Sequence, residues 1–65
     1  MIKNIISDLR IARRITQEQL AEMLKVTRQT IISLEKNKYI PSLEMGFKVS
    51  RVFEMKIEEI FNYSE

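Results

Sequence analysis

The side chains best suited to chemistry in this 65-residue chain lie between residues 28 and 36. The polar groups that project from one side of a short helix there are Arg28, Gln29, Thr30, Ser33 and Lys36. Arginine and glutamine can bond bidentately to guanine and adenine edges, while hydroxyl and ammonium groups bond phosphate oxygens. Ile31 and Leu34 supply the opposite, apolar side. The segment therefore indicates a surface suited to the major groove of DNA.

A second helix is predicted just before this one, over residues 17–24. Its apolar residues Leu20, Ala21 and Leu24 fall one and four positions apart, so they share a face. Thr16 and Gln19 have the spacing of a capping box, and Ile15 stands where a hydrophobic staple would pack onto Leu20. Thr27 is the predicted N-cap of the helix over residues 28–36. Two short helices joined by a tight turn are the pattern of a helix-turn-helix.

Three more helices complete the prediction. The first covers residues 4–13, with Asn4 as its cap and an apolar face of Ile5, Leu9 and Ala12, with Ile6 beside them. Residues 37–41 form a loop, because the residue before Pro41 is driven out of the helical region. Ser42 caps a helix that reaches Phe53, with an inward side of Leu43, Gly46, Val49, Ser50 and Phe53. Residues 57–61 form the last helix. We therefore expect one all-α domain over residues 1–65.

Composition removes several classes of function. The chain has no cysteine and no histidine, which excludes disulfides, thiolate nucleophiles, imidazole bases and nearly all transition-metal sites. Glu58 and Glu59 are adjacent and point about 100 degrees apart on a helix, so they cannot share a substrate. There is no glycine-rich phosphate loop. We therefore expect a protein that is not an enzyme and that binds no metal, cofactor or small-molecule ligand. We also expect a cytoplasmic location, since no apolar run approaches the roughly 20 residues of a membrane span.

The charge is distributed unevenly, although the net value is only +2. Residues 1–14 and residues 25–38 each carry +3, whereas residues 54–65 carry −3. The basic segments favour a polyanion, and the acidic end should be kept away from it. The alternative is that these charges are ordinary solvated helix faces.

The chain resembles the phage repressor and Cro type of helix-turn-helix regulator, the XRE family, and in particular its small single-domain members. The resemblance rests on TQEQLAEML, VTRQTIISLEKNKYIPSLE and IEEIF together with the N-terminal LRIARR, and so covers nearly the whole chain. It implies a compact five-helix bundle of the lambda-repressor type. A transcriptional regulator, more often a repressor than an activator, is the implied function. Small members can also pair their two ends as short strands, here residues 1–3 with 61–63.

The resemblance also implies roles for individual residues. The residues expected to read bases are Arg28, Gln29 and Ser33. Ile32 departs from the family, which more often has a small or polar residue there; it either touches a thymine methyl group, packs sideways near Tyr39, or is simply exposed. Gln17 is expected to hold the phosphate backbone. Further phosphate contacts are expected from Thr27, Thr30, Lys36, Lys38 and Tyr39.

Two structural features follow from the same resemblance. Arg10 and Glu35 match positions that form an ion pair between the first and third helices, although both could instead be solvated. The family tends to place glycine at helix ends that need a left-handed backbone. Here those places hold Arg14, Lys25, Asn37 and Glu54, which should cost about 1 kcal/mol each, asparagine excepted, or adopt another turn. Lys56 replaces the usual capping hydroxyl of the last helix.

One helix-turn-helix contacts few bases, so a homodimer on a palindromic operator is expected, with recognition helices about 34 to 36 Å apart. The residues predicted to form the dimer interface are Met55, Ile57, Ile60, Phe61 and Tyr63, with Ile2 nearby. The alternative is that they form the far end of the monomer core. A rival function is an antitoxin or antirepressor that uses this fold to bind another protein.

Overall fold

The computed structural model describes all residues from 1 to 65 and contains five helices and one pair of strands. The elements are β1 (Ile2–Asn4), α1 (Ile6–Ala12), α2 (Gln17–Leu24), α3 (Arg28–Glu35), α4 (Leu43–Phe53), α5 (Ile57–Ile60) and β2 (Phe61–Tyr63). The predicted five-helix bundle with a terminal β pairing is confirmed. None of the helices has the length and apolar character needed to cross a membrane.

Three helices begin at hydroxyl caps that the sequence predicts. The Oγ atoms of Thr16, Thr27 and Ser42 accept hydrogen bonds from the backbone N–H three residues later, at 3.0, 3.2 and 3.1 Å. The Gln19 side chain accepts from the Thr16 N–H at 2.9 Å, which completes the capping box. At α5, where Lys56 offers no capping hydroxyl, the Glu59 carboxylate accepts from the Lys56 N–H at 2.8 Å. The start of α5 is therefore held by half of a capping box.

Four helix ends adopt the left-handed backbone without glycine. Arg14, Lys25, Asn37 and Glu54 have φ values of 57, 59, 58 and 53°. In each case the next residue donates its N–H to the carbonyl five positions earlier, at 2.9 to 3.1 Å. That bond is the mark of a Schellman motif. The turn that usually contains glycine is therefore formed here by residues with a side chain, for which the left-handed backbone is unfavourable.

Helix α1 differs from the prediction in its start and in its buried face. Asn4 belongs to β1, and the N-cap of α1 is Ile5, but the Asn4 side chain still accepts a hydrogen bond from the Ile6 N–H at 3.0 Å. Ile6 is fully buried, whereas Ile5 and Ala12 are exposed. The predicted apolar face was right at Leu9, which packs against the core, and wrong at Ile5 and Ala12, because the side chains at positions 6, 10 and 13 turn toward the other helices, two of them as arginines.

The core lies between the helices and draws on all five of them. Its ten residues are Ile6, Leu20, Ala21, Leu24, Ile31, Leu34, Met45, Val49, Phe53 and Ile60. On α4 the prediction of an inward Leu43 was wrong, since Leu43 is exposed and Met45 is buried instead. Positions 45, 49 and 53 follow one another at four-residue spacing, which turns position 43 to the outside.

The two ends of the chain meet in an antiparallel pair of strands. Ile2 lies opposite Tyr63, Lys3 opposite Asn62, and Asn4 opposite Phe61. Helix α5 therefore ends at Ile60, one residue before its predicted end, because Phe61 enters the strand. The strand pair therefore joins the start of the chain to its end by backbone hydrogen bonds.

Candidate nucleic-acid interface

The interface is built on the packing of α2 against α3. Leu20 and Leu24 of α2 and Ile31 and Leu34 of α3 are all essentially inaccessible to solvent. Because each helix buries one stripe, the remaining sides of both helices face outward. The turn between them is closed by the Val26 N–H, which donates to the Ala21 carbonyl at 2.9 Å. This arrangement holds α3 rigidly across α2 with its polar side free.

The orientation of α3 determines which predicted base readers face outward. With about 100° of rotation per residue, burial of Ile31 and Leu34 directs Gln29, Ser33 and Lys36 away from the core. Gln29 and Lys36 are exposed, whereas Ser33 is half-buried. Ile32 is also half-buried beside them, so part of its side chain remains available to an apolar contact such as a thymine methyl group.

Arg28 is exposed but lies on the flank of α3 that faces the start of α2. It shares a shallow polar cavity with Thr16, Gln17 and Glu18, and Arg10 lies at the back of that cavity. The structure therefore brings together Arg28, predicted to read a base, and Gln17, predicted to hold the phosphate backbone.

A buried polar cluster joins α1, α2 and α3 behind this surface. The Arg10 guanidinium donates from Nε to Glu35 Oε2 at 2.7 Å and from Nη2 to Oε1 at 3.3 Å, and it also donates from Nη1 to the Ile15 carbonyl at 3.0 Å. The side chains of Arg10 and Glu35 are only 14% and 7% exposed. The predicted ion pair is confirmed, and it is bidentate, which fixes the relative positions of α1 and α3.

Gln17 is a further member of this cluster. Its Nε2 atom donates to Glu35 Oε1 at 3.1 Å, and the side chain is half-buried. One amide hydrogen is therefore engaged, and the second hydrogen on the same nitrogen can still donate to an external acceptor. Sequence reasoning missed this contact, because Gln17 and Glu35 are 18 residues apart on different helices.

The start of α3 presents two threonine hydroxyls. Thr27 accepts from the Thr30 N–H, and the two Oγ1 atoms are 3.0 Å apart, so they share a hydrogen bond. Thr27 is exposed and Thr30 half-buried. Capping occupies Thr27 without covering it, so its predicted phosphate contact is compatible with the geometry.

The loop after α3 carries the remaining predicted phosphate contacts. Lys36, Lys38 and Tyr39 are all exposed there. The loop is held from behind by Asn4, whose Nδ2 donates to the Leu34 carbonyl at 2.9 Å and to Asn37 Oδ1 at 3.3 Å. The N-terminal strand therefore supports this loop, a function of Asn4 that the sequence did not indicate.

The residues predicted to form a dimer interface are placed differently from that prediction. Ile60 is 1% exposed and belongs to the monomer core, so this part of the prediction was wrong and the alternative was right. Met55 and Phe61 are half-buried and pack against the same core, and Ile57 is half-buried. Only Tyr63 is largely exposed. The closing segment is apolar because it completes a small core.

This fold and site define a small helix-turn-helix domain, a class of DNA-binding regulator rather than of enzyme. A family model described as helix-turn-helix matches residues 6–60 of the chain. An uncharacterised HTH-type transcriptional regulator from Methanocaldococcus jannaschii is 48% identical over 64 residues, which cover 98% of this chain and 97% of that protein. The HTH-type transcriptional regulator YgzD from Bacillus subtilis, also uncharacterised, is 42% identical over 60 residues, or 92% of this chain and 91% of that protein.

Solved structures give the same result. A candidate DNA-binding protein from Bacteroides fragilis superposes with a TM-score of 0.84 at 29% identity, covering 95% of this chain and all of that one. A transcriptional regulator from Listeria innocua superposes with a TM-score of 0.82 at 21% identity, over 97% of this chain and 63% of that one, and shows likeness of fold. The chain belongs to the helix-turn-helix family, as a small XRE-type member.

Proposed function

We propose that this protein is a sequence-specific regulator of transcription that binds double-stranded DNA as a homodimer on a palindromic operator and acts as a repressor. The observation that carries the proposal is the outward side of α3. Gln29 and Lys36 are exposed on it, Arg28 is exposed on its flank, and the buried Arg10–Glu35–Gln17 cluster fixes its position. An exposed polar helix with a rigid support is what insertion into a major groove requires.

Within the groove, the residues divide by chemistry. Arg28 and Gln29 can each form a bidentate pair with a base edge, which contributes about 1 to 3 kcal/mol of discrimination. Ser33 supplies a short hydroxyl, and Ile32 an apolar contact. Gln17, Thr27, Thr30, Lys36, Lys38 and Tyr39 hold the two flanking backbones, and so determine register rather than sequence.

The homodimer follows from the small number of base readers on one α3. Four side chains contact too few base pairs to select one site in a genome, whereas the two recognition helices of a dimer contact twice as many base pairs. Recognition helices of a dimer lie about 34 to 36 Å apart, one turn of DNA. The longest extent of the domain is 32 Å, which is comparable with that separation, so two copies bound one turn of DNA apart are near neighbours.

Repression is proposed because it requires only occupancy. A protein seated on an operator that overlaps a promoter excludes polymerase sterically, while activation requires an additional contact to polymerase. A relative named as a transcriptional activator, BcrR from Enterococcus faecalis, is 37% identical over 92% of this chain, but the match covers only 29% of that protein.

The test is selection of binding sites from a pool of random duplexes, with the wild type, Arg28→Ala and Arg51→Ala at two salt concentrations. Arg51 is exposed near the end of α4, outside the proposed interface, so its variant matches the loss of charge and size. We expect the wild type and Arg51→Ala to select one palindromic motif. Arg28→Ala should lose preference at one base pair in each half-site, and affinity should fall steeply with salt.

The outcomes separate the parts of the proposal. A motif without two-fold symmetry would contradict the palindromic operator while leaving DNA binding intact. The same motif from Arg28→Ala as from the wild type would remove Arg28 from the base readers. Absence of any enriched motif from the wild type would overturn the function as a whole.

A further inference from the structure

Several strongly exposed apolar side chains lie around the first half of α4 and on the strand pair next to it. Ile40, Leu43 and Phe47 are 77%, 73% and 54% exposed, and Tyr63 is 70% exposed. We refer to Ile2, Ile40, Leu43, Phe47 and Tyr63 together as the α4 apolar face. Single exposed apolar residues are ordinary, but a contiguous group of this size marks an interaction surface.

The group extends from α4 onto the neighbouring strand pair. Leu43 and Phe47 are four residues apart on α4 and so share a side of that helix. Ile2 and Tyr63 are directly opposite each other in the strand pair, and their side chains therefore lie on one face of it. A groove of about 150 Å³ joins the two elements, with Ile2, Leu43, Gly46, Ile57 and Phe61 among its lining residues. No part of this chain covers the groove.

We propose that the α4 apolar face binds a second copy of this chain, with the two α4 helices antiparallel across a two-fold axis. This proposal rests on the homodimer in the proposed function and names its surface. A two-fold axis makes every contact between different residues occur twice, once in each direction. Leu43 then contacts the partner's Phe47, and the same contact occurs twice.

The charges next to the apolar stripe fit this partner. Glu44 and Lys48 follow Leu43 and Phe47 on α4, and their charged groups are 3.6 Å apart in the monomer. In the antiparallel arrangement Glu44 lies opposite the partner's Lys48, so the apolar contacts are bordered by two pairs of opposite charge. A surface that is self-complementary in charge as well as apolar favours another copy of itself over an unrelated protein.

The position of the face also agrees with DNA binding. Ile40 lies in the loop that follows α3, and Leu43 begins α4 directly after it. Only a short stretch of chain therefore separates this contact from the C-terminal end of each α3. The strands and α4 form the contact, while the outward sides of α2 and α3 stay free.

The first test compares Phe47→Ser with Ile11→Ser. Ile11 is 61% exposed on α1, so its variant removes a similar amount of exposed apolar surface from a different side of the molecule. Sedimentation velocity over a range of concentrations gives the dimer dissociation constant of each full-length variant, and circular dichroism checks the fold. We expect a dimeric wild type, an unchanged Ile11→Ser, and a dissociation constant raised at least about tenfold in Phe47→Ser.

The second test probes the antiparallel arrangement through charge reversal. Glu44→Lys places like charges opposite each other at two points of the dimer, and Lys48→Glu does the same. Each single variant should dimerise more weakly than the wild type, and the double variant Glu44→Lys/Lys48→Glu should recover. Additive weakening in the double variant would overturn the antiparallel pairing.

Failure of this proposal can be told apart from failure of the proposed function. A dimer that persists unchanged in Phe47→Ser would overturn the α4 apolar face while leaving the homodimer intact. A wild type that stays monomeric both free and on the selected duplex, yet still enriches a motif, would overturn this surface and the homodimer but not DNA recognition.

Discussion

Glu35 holds three helices together through one carboxylate. It accepts two hydrogen bonds from Arg10 of α1 and one from Gln17 of α2, and the charge is almost wholly removed from water. A buried carboxylate is tolerated only while its partner neutralises it, so the two residues are interdependent. The same contacts place the Gln17 amide at the edge of the proposed DNA surface. Stability and the proposed recognition of DNA therefore involve the same side chain.

Removing one partner of this ion pair should strongly destabilise the fold. We expect Glu35→Ala and Arg10→Ala each to lower the free energy of unfolding by about 3 kcal/mol, because an uncompensated buried charge remains. Lys48→Ala, which breaks the exposed pair with Glu44, should cost less than about 1 kcal/mol. Urea denaturation of the three variants measures these values. Equal losses of unfolding free energy for the buried and exposed pairs would show that burial does not determine how much an ion pair contributes to stability.

Replacing both partners by apolar residues separates the two functions of the cluster. Arg10→Met/Glu35→Leu should recover much of the stability lost by either alanine variant, because no buried charge is left unpaired. Gln17 then loses its acceptor, so the affinity for operator DNA should stay below that of the wild type even where the fold is restored. Recovery of wild-type affinity in the double variant would contradict the positioning of Gln17 by Glu35.

At the scale of the elements, four helix ends form a Schellman turn from residues other than glycine. Arg14, Lys25, Asn37 and Glu54 all take a left-handed backbone, and three of them carry ordinary side chains that resist it. The bond that each following residue makes to the carbonyl five positions earlier compensates part of this cost. The helices therefore end where the tertiary fold needs them to end.

Glycine at these ends should stabilise the protein. We expect Lys25→Gly and Glu54→Gly each to raise the free energy of unfolding by about 0.5 to 1 kcal/mol, since glycine adopts the left-handed region without steric cost. Asn37→Gly should change little, because asparagine already tolerates this conformation. Glu22→Gly, inside α2, is the control and should lower the free energy of unfolding by about 1 kcal/mol. Thermal denaturation distinguishes these signs.

Gly46 is the opposite case, a glycine within α4 that the backbone does not need. A Cβ added there would lie 3.9 Å from Ile57 Cδ1, an ordinary contact distance, and its φ is not positive. Gly46→Ala should therefore raise the free energy of unfolding by about 1 kcal/mol. Because Gly46 lines the groove of the α4 apolar face, the comparison is made within a Phe47→Ser background. A loss of stability would mean that the helix cannot accommodate even a methyl group.

At the scale of the whole molecule, charge is separated between the recognition elements and the C-terminal end. Residues 25–38 carry a net +3 and residues 54–65 a net −3. The only acid of the basic segment, Glu35, is paired with Arg10, so Lys25, Arg28, Lys36 and Lys38 act without opposition from it. This distribution orients the molecule toward a polyanion before any specific contact forms.

The salt dependence of DNA binding should report this distribution. Lys36 and Lys38, the two cations assigned to phosphates in each copy, make four such contacts in the dimer and give a slope of log K against log salt of about −4. Lys36→Ala and Lys38→Ala should each make the slope less negative by about 2, since each removes two contacts from the dimer. Lys56→Ala, at the acidic end, should leave it unchanged. Titration of a labelled operator at several salt concentrations measures the slope, and equal slopes for all variants would contradict the assigned phosphate contacts.

The sequence by itself determined the local features of this protein. The capping residues Thr16, Thr27 and Ser42, the bounds of α2 and the start of α3 could all be predicted, because they depend on contacts within a few residues. The polar face of α3 could be predicted from its spacing, and the Arg10–Glu35 pair and the non-glycine helix ends from the family resemblance. All of these except the Arg10–Glu35 pair depend on a pattern that is visible along one stretch of chain.

Only the tertiary structure decided which surfaces remain open. The exposure of Ile5, Ala12 and Leu43 and the burial of Ile60 were mispredicted, and the contact of Gln17 with Glu35 was missed. Each depends on how far one helix is rotated against others distant in sequence. Periodicity shows that a helix has an apolar side, but it cannot show whether that side meets the core of its own chain or stays exposed. In this protein that distinction separates α5, which completes the core, from the α4 apolar face, which remains uncovered.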